Sequence, residues 1–221
     1  MIGKLFGRGG SDLPPAPFYC PYNDRAADFL YNLLFCDNPD LFRNDKQDES
    51  SLATVLSGAA TRETLEKIAS DPAVESRVRV LAFNRLRAMQ LPVQSKQLLG
   101  TIIEFPQENG LDTLAAFADG RVRYINQTGK PGFFEGAPAQ VVAKANELIR
   151  VSQFAVDQCG GPSLEPRRPP PDGDLLRLSF LVSDGLYFGE GSYEALMDDR
   201  AGELVLDAGG ELLVQLVDTV T

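Results

Sequence analysis

Apolar positions in the first part of the chain recur at helical spacing. In Asp24–Phe35 the row Ala26/Ala27, Leu30 and Leu33/Leu34 keeps a 3.6-residue period, and Asn23 or Asp24 stands where a cap belongs. Residues 37–50, DNPDLFRNDKQDES, carry no such row and read as an acidic loop, after which Leu52–Leu56 offers one short helical turn. Thr61 caps a run that ends near Ser70. Asp71 followed by Pro72 predicts the start of the next helix, because a proline's missing donor is not needed in a first turn. That helix would bury Val74, Val78, Leu81/Ala82, Leu86 and Met89 and stop before Pro92.

From Gln97 the pattern changes to strands. Leu98–Phe105 is strand-like, and Leu111–Asn126, LDTLAAFADGRVRYIN, reads as two strands joined by Asp119-Gly120. A two-residue type I′ turn would set Ala118 opposite Arg121 and Ala115 opposite Tyr124. It would bury Ala115, Phe117, Val122 and Tyr124 and leave Ala116, Ala118, Arg121 and Arg123 on a solvated or thinly covered face. Gly132–Phe134 can extend the sheet. A long amphipathic helix follows Pro138, with the row Val141, Ala145, Leu148/Ile149, Ser152, Ala155/Val156 and Cys159, and Gly160-Gly161 to end it in a left-handed cap. Leu175–Val182 and Tyr187-Phe188 form a second strand pair. Residues 203–219 suit a helix through Val205, Ala208, Leu212 and Leu216, but Gly209-Gly210 leaves a hairpin open.

The fold class expected is α+β: an N-terminal helical region packed against a mostly antiparallel β-sheet covered by a long amphipathic helix. The boundaries are a flexible leader at 1–21, a helical region at 22–92 and a sheet region at 97–221 with a proline-rich connector at 160–173, compatible with one continuous domain. The helices around Thr61–Leu91 resemble a single helical hairpin of the HEAT-repeat kind, without a second copy at a fixed period. The segment DGRVRYINQTGK resembles uncharacterised bacterial proteins, a likeness that implies no activity and transfers no functional residue.

Composition narrows the function classes. A net charge of −10 argues against sequence-independent nucleic-acid binding, which depends on neutralising phosphates with Lys and Arg. Three scattered cysteines make no disulfide framework, so a reducing cytoplasm is expected, and no apolar run approaches the length of a membrane span. There is no histidine, which excludes Ser-His-Asp and Cys-His catalysis and any imidazole metal site. Carboxylate, lysine or cysteine chemistry survives on paper. Cys36 follows a helix beside Asp37, Cys159 lies on an apolar row, and Cys20 sits in a proline-flanked loop, so a buried or inert thiol is the simpler reading of each.

No cofactor fingerprint is complete. The acidic loop places Pro39, Leu41 and Phe42 where a calcium loop needs ligands and glycine. Residues 185–191, GLYFGEG, meet Glu194 where the dinucleotide motif needs its last glycine. The run from Asn126 to Lys130 lacks the first glycine of a phosphate loop and is followed by Pro131, so a strand-end turn is the default. Asn126, Thr128 and Lys130 remain an anion-binding candidate. Arg77, Arg79, Arg85 and Arg87 cluster on one predicted helix and are a candidate contact for an acidic protein surface. The function expected is non-catalytic binding of another protein in the cytoplasm. A small-molecule or anion-binding module comes second and a carboxylate- or cysteine-based enzyme third.

Overall fold

The computed structural model describes residues 17–43, 50–108, 110–134 and 138–220. Helix α1 (Arg25–Leu34) starts where Asp24 accepts the Ala27 amide, as the pattern predicts. A 3-10 turn (Pro39–Phe42), α2 (Ser51–Leu56), α3 (Arg62–Ser70) and α4 (Ser76–Ala88) complete the helical region. Strands β1 (Leu98–Gln107), β2 (Gly110–Phe117), β3 (Val122–Ile125) and β4 (Pro131–Phe134) precede the long helix α5 (Ala139–Gln158). Then come β5 (Leu175–Val182), β6 (Gly185–Ser192), α6 (Tyr193–Asp198) and α7 (Arg200–Val220). The six strands form one sheet in the order β4-β3-β2-β1-β5-β6, every described pair antiparallel.

Both faces of the sheet are covered, so the fold has three layers. Leu99, Ile102, Ala115, Phe117, Ile125 and Leu181 pack under α1–α4 in one core. Leu98, Ile103, Leu114, Ala116, Val122, Leu178 and Phe180 pack under α5 and α7 in the other. The solvated or thinly covered face expected for the β2–β3 hairpin survives only near the loop, where Ala118 is exposed and Arg121 partly so; Ala116 is fully buried and Arg123 only 4% exposed.

The hairpin register is also one residue away from the expected one, with Ala115 opposite Arg123 and Leu114 opposite Tyr124. A type I′ turn would need positive φ at Asp119 as well as Gly120, and only Gly120 has it, at 80°. The loop is the three-residue form, closed by Phe117 N to Arg121 O at 3.0 Å and Gly120 N to Phe117 O at 2.9 Å. Because side chains alternate along a strand, that slip exchanges the faces of β3. Asp119 is held by a second task. Its Oδ2 accepts the Ser76 amide at 2.7 Å, and its own amide donates to Ser76 Oγ at 3.0 Å. The hairpin tip is thus the side-chain cap of α4.

That bond also explains why α4 begins at Ser76 and not at Pro72. Asp71 closes a separate turn, accepting from Ala73 N through its side chain and from Val74 N through its carbonyl. Helix α5 ends at Cys159 in extended backbone, ψ 147°, so Gly160-Gly161 do not form the expected left-handed cap. The ambiguity at 203–219 resolves as helix. Of the expected flexible leader, residues 1–16 lie outside the described residues. Within 17–21, Tyr19 is pinned by its amide to Asn32 Oδ1 at 3.0 Å and its hydroxyl to Arg167 O at 2.9 Å. Among the described residues no helix is long and apolar enough to cross a membrane.

Candidate functional site

The four arginines that the sequence groups together are turned into the fold. Arg79 is 5% exposed and donates to Ala69 O at 2.9 Å. Arg85 binds the carbonyls of Val55 and Ser57, holding the end of α2. Arg87 donates to Ser183 O at 2.9 Å and to Asn84 Oδ1 at 2.8 Å. Arg77 pairs with Glu75 and lies 5.9 Å from the rings of both Phe42 and Phe117. Each guanidinium closes a junction between helices or between helix and strand, so reversing its charge would test folding before it tested a partner.

The Asn126–Lys130 loop has used its own amides. Asn126 Oδ1 accepts from Thr128 N, Thr128 Oγ1 and Lys130 N, and Gly129 N donates to Asn126 O. Gln127 N goes to Asp112 Oδ1 at 2.7 Å. An anion nest needs free N–H groups, and these are committed. Gly129 packs on Ala27 and Asp24, so the loop props the start of α1. Residues 185–191 are strand β6 throughout, with Tyr187 buried and Phe188 stacked 4.8 Å from the Arg168 guanidinium. Burial pushes the Cys36 thiol well up, and burial likewise raises Cys159. Cys20 is raised by desolvation and then by the Asp28 carboxylate. All three shifts disfavour a nucleophilic thiolate. Among the described residues no group of three or more acidic or cysteine side chains is arranged to hold a metal.

Sequence patterning missed a polar row across the sheet, on the face under α1. Pairing places Thr113, Glu104, Arg177 and Glu190 side by side on four neighbouring strands. Glu104 has no exposed surface, accepts the Tyr31 hydroxyl at 2.6 Å and lies 3.8 Å from Arg177, which donates Nε to Glu190 at 2.7 Å. Tyr22 meets Thr113 at 2.8 Å. Above the row, Arg167 binds Asp37 at 2.7 Å and Asn32 at 2.9 Å, with the Phe35 ring 4.1 Å from its guanidinium. Burial raises the Glu104 carboxyl, against the lowering effect of Tyr31, Arg177 and Arg167. Its centre, Glu104 with Arg177, Arg167 and Thr113, is buried, while Glu190 and Asp37 reach solvent at its margins, and its chemistry is that of a latch between the helical layer and the sheet.

The opposite face opens into a groove of about 320 Å³ between α7 and the outer ends of β1, β2 and β3. Ile103, Leu114, Leu206 and Leu213 line it, with the partly exposed Phe105 and Tyr193 on its wall. One end is polar: Asp112 accepts the Tyr124 hydroxyl at 3.1 Å, and burial together with this carboxylate pushes the Tyr124 phenol up to about 12.

Two glycines of α7 line the groove for different reasons. A Cβ on Gly209 would collide with Ile103 Cδ1, so that glycine lets helix and sheet meet. A Cβ on Gly210 would meet no heavy atom within 4 Å. Mid-helix glycine costs about 1 kcal/mol relative to alanine, and at position 210 no internal contact offsets it. The sequence carried this signal in Gly209-Gly210, where it registered only as an interruption of the helical pattern. Phe105 and Tyr193 gave no signal, since a groove joins elements distant in the chain. No protein family, curated protein or solved structure matches this chain.

Proposed function

We propose that this chain is a non-catalytic binding protein that holds another protein by seating an apolar segment of it in the groove beside α7. The observation that carries this reading is Gly210: an exposed mid-helix glycine facing open groove, where no side chain of the protein requires its smallness. Glycine at such a position permits close approach of an outside group to the helix backbone. The partly exposed Phe105 and Tyr193 supply the aromatic anchors on which interfaces concentrate their binding energy. A second reading, a small amphipathic molecule, is favoured by the volume and by the polar end at Asp112 and Tyr124.

Native mass spectrometry of the gently isolated protein separates the two. A stoichiometric second polypeptide supports the first reading, and a small added mass supports the second. Gly210→Leu fills the groove from its own wall without touching the core. It should weaken either complex by at least about tenfold, or 1.4 kcal/mol, while leaving the far-UV spectrum and unfolding midpoint at or above those of the parent. A complex that survives Gly210→Leu unchanged rules out the groove as its site.

A further inference from the structure

We propose that the outer edge of β6 is a second docking site, where an extended, Lys- or Arg-bearing segment of another chain adds a further strand to the sheet. The argument is independent of the groove. Among the described residues, strand β6 is the last strand of the sheet and pairs only with β5. In that antiparallel ladder Val182 closes the turn with Gly185, so the backbone groups of Gly185, Tyr187, Gly189 and Gly191 face β5. Those of Leu186, Phe188 and Glu190 face outward. The connector agrees with this parity by donating Ser163 N to Leu186 O at 2.7 Å; further along it lies beside β6 through side chains, with Arg168 over the Phe188 ring and its Pro169 carbonyl bound by Arg177. Among the described residues no hydrogen bond reaches the N–H or C=O of Phe188 or Glu190 beyond that point.

Natural sheets protect such edges with proline, outward lysine, bulges or short strands. Strand β6 is eight residues long, holds neither proline nor lysine, and keeps an unbroken register with β5. Its one charged side chain, Glu190, is drawn onto Arg177. Gly189 leaves open space beside the backbone, since a Cβ there would meet nothing within 4 Å. An unguarded edge of this kind is the template that strand-addition partners use. Charge selects the occupant. Asp184 stands at one end of the edge and the exposed Glu194 at the other, Glu190 is already paired with Arg177, the half-exposed Arg168 lies over Phe188, and the chain as a whole carries −10. A cationic strand is attracted, and a second copy of this chain is repelled.

The test is amide hydrogen exchange on the full isotope-labelled chain, with a synthetic alternating Lys-Val peptide as probe. The peptide at millimolar concentration should slow exchange of the Phe188 and Glu190 amides by about tenfold, the reach of added backbone hydrogen bonds of modest stability. The same peptide N-methylated at alternate amides should have no effect, and neither should an alternating Glu-Val peptide. Phe188→Pro removes an outward donor at a position where an edge strand tolerates proline, and it should abolish the protection. Gly210→Leu should leave it intact, which keeps this site and the groove separable. Unslowed amides, equal protection by the N-methylated peptide, or protection that appears without peptide as protein concentration rises would each overturn the proposal, the last by making a second copy the occupant.

Discussion

Glu104 is ionisable, wholly buried, hydrogen-bonded by Tyr31 and close to the Arg177 charge, so its protonation is coupled to folding. Its folded value lies above the unfolded one, with burial as the largest cause. The folded state therefore holds this proton more tightly than the unfolded chain does. The stability contributed by this group is complete below the ordinary glutamate range and declines as pH rises through the folded value. Glu104→Gln should flatten the pH dependence of the denaturation midpoint across that window, and a variant whose profile overlays the parent would show that other carboxylates set it. Arg177 is the complementary probe. Arg177→Met leaves the Glu104 carboxylate buried without its nearest cation and frees Glu190, a loss of about 3–5 kcal/mol for a broken buried pair, read from the urea transition.

Helix α7 and the β2–β3 hairpin make sharper tests because neighbouring positions carry opposite expectations. Gly209→Ala drives a methyl into Ile103 and should cost about 1–3 kcal/mol, partly recovered by Ile103→Val. Gly210→Ala, one residue on, should stabilise by up to about 1 kcal/mol. Asp119→Ala removes the cap of α4 and should cost about 1–2 kcal/mol. A double-mutant cycle with Ser76→Ala should show strong coupling, since the two residues bond reciprocally. These elements also mark where sequence reading succeeds. Caps that act locally were legible: Asp24 and Thr61 begin their helices, and the apolar row of α5 buries as its spacing predicts. The start of α4 was not, because its cap comes from the hairpin and a local Asp-Pro imitates one. The arginines of α4 were misleading for a related reason. Their spacing along the helix was visible, but the carbonyls of Val55, Ser57 and Ser183 that absorb two of them belong to other elements.

In the molecule as a whole, the helical region and the sheet region share a hydrophobic core. The core beneath α1–α4 takes residues from the first helices and from β1, β2, β3 and β5 together. A fragment beginning after Pro92 would bare Leu99, Ile102, Phe117 and Leu181 on one face of the sheet and should aggregate. The intact chain should unfold in one transition, with calorimetric and van't Hoff enthalpies in agreement. Two separated transitions would show that the regions fold independently. The reciprocal bond between Ser76 and Asp119 adds a consequence in time. Glu75 offers α4 no side-chain cap, and the group that does, Asp119, lies 43 residues beyond Ser76. The cap of α4 can form only once the hairpin loop is in place, and the two are expected to become native together. Substitutions at Ser76 and at Asp119 should divide their effects between folding and unfolding rates in the same proportion.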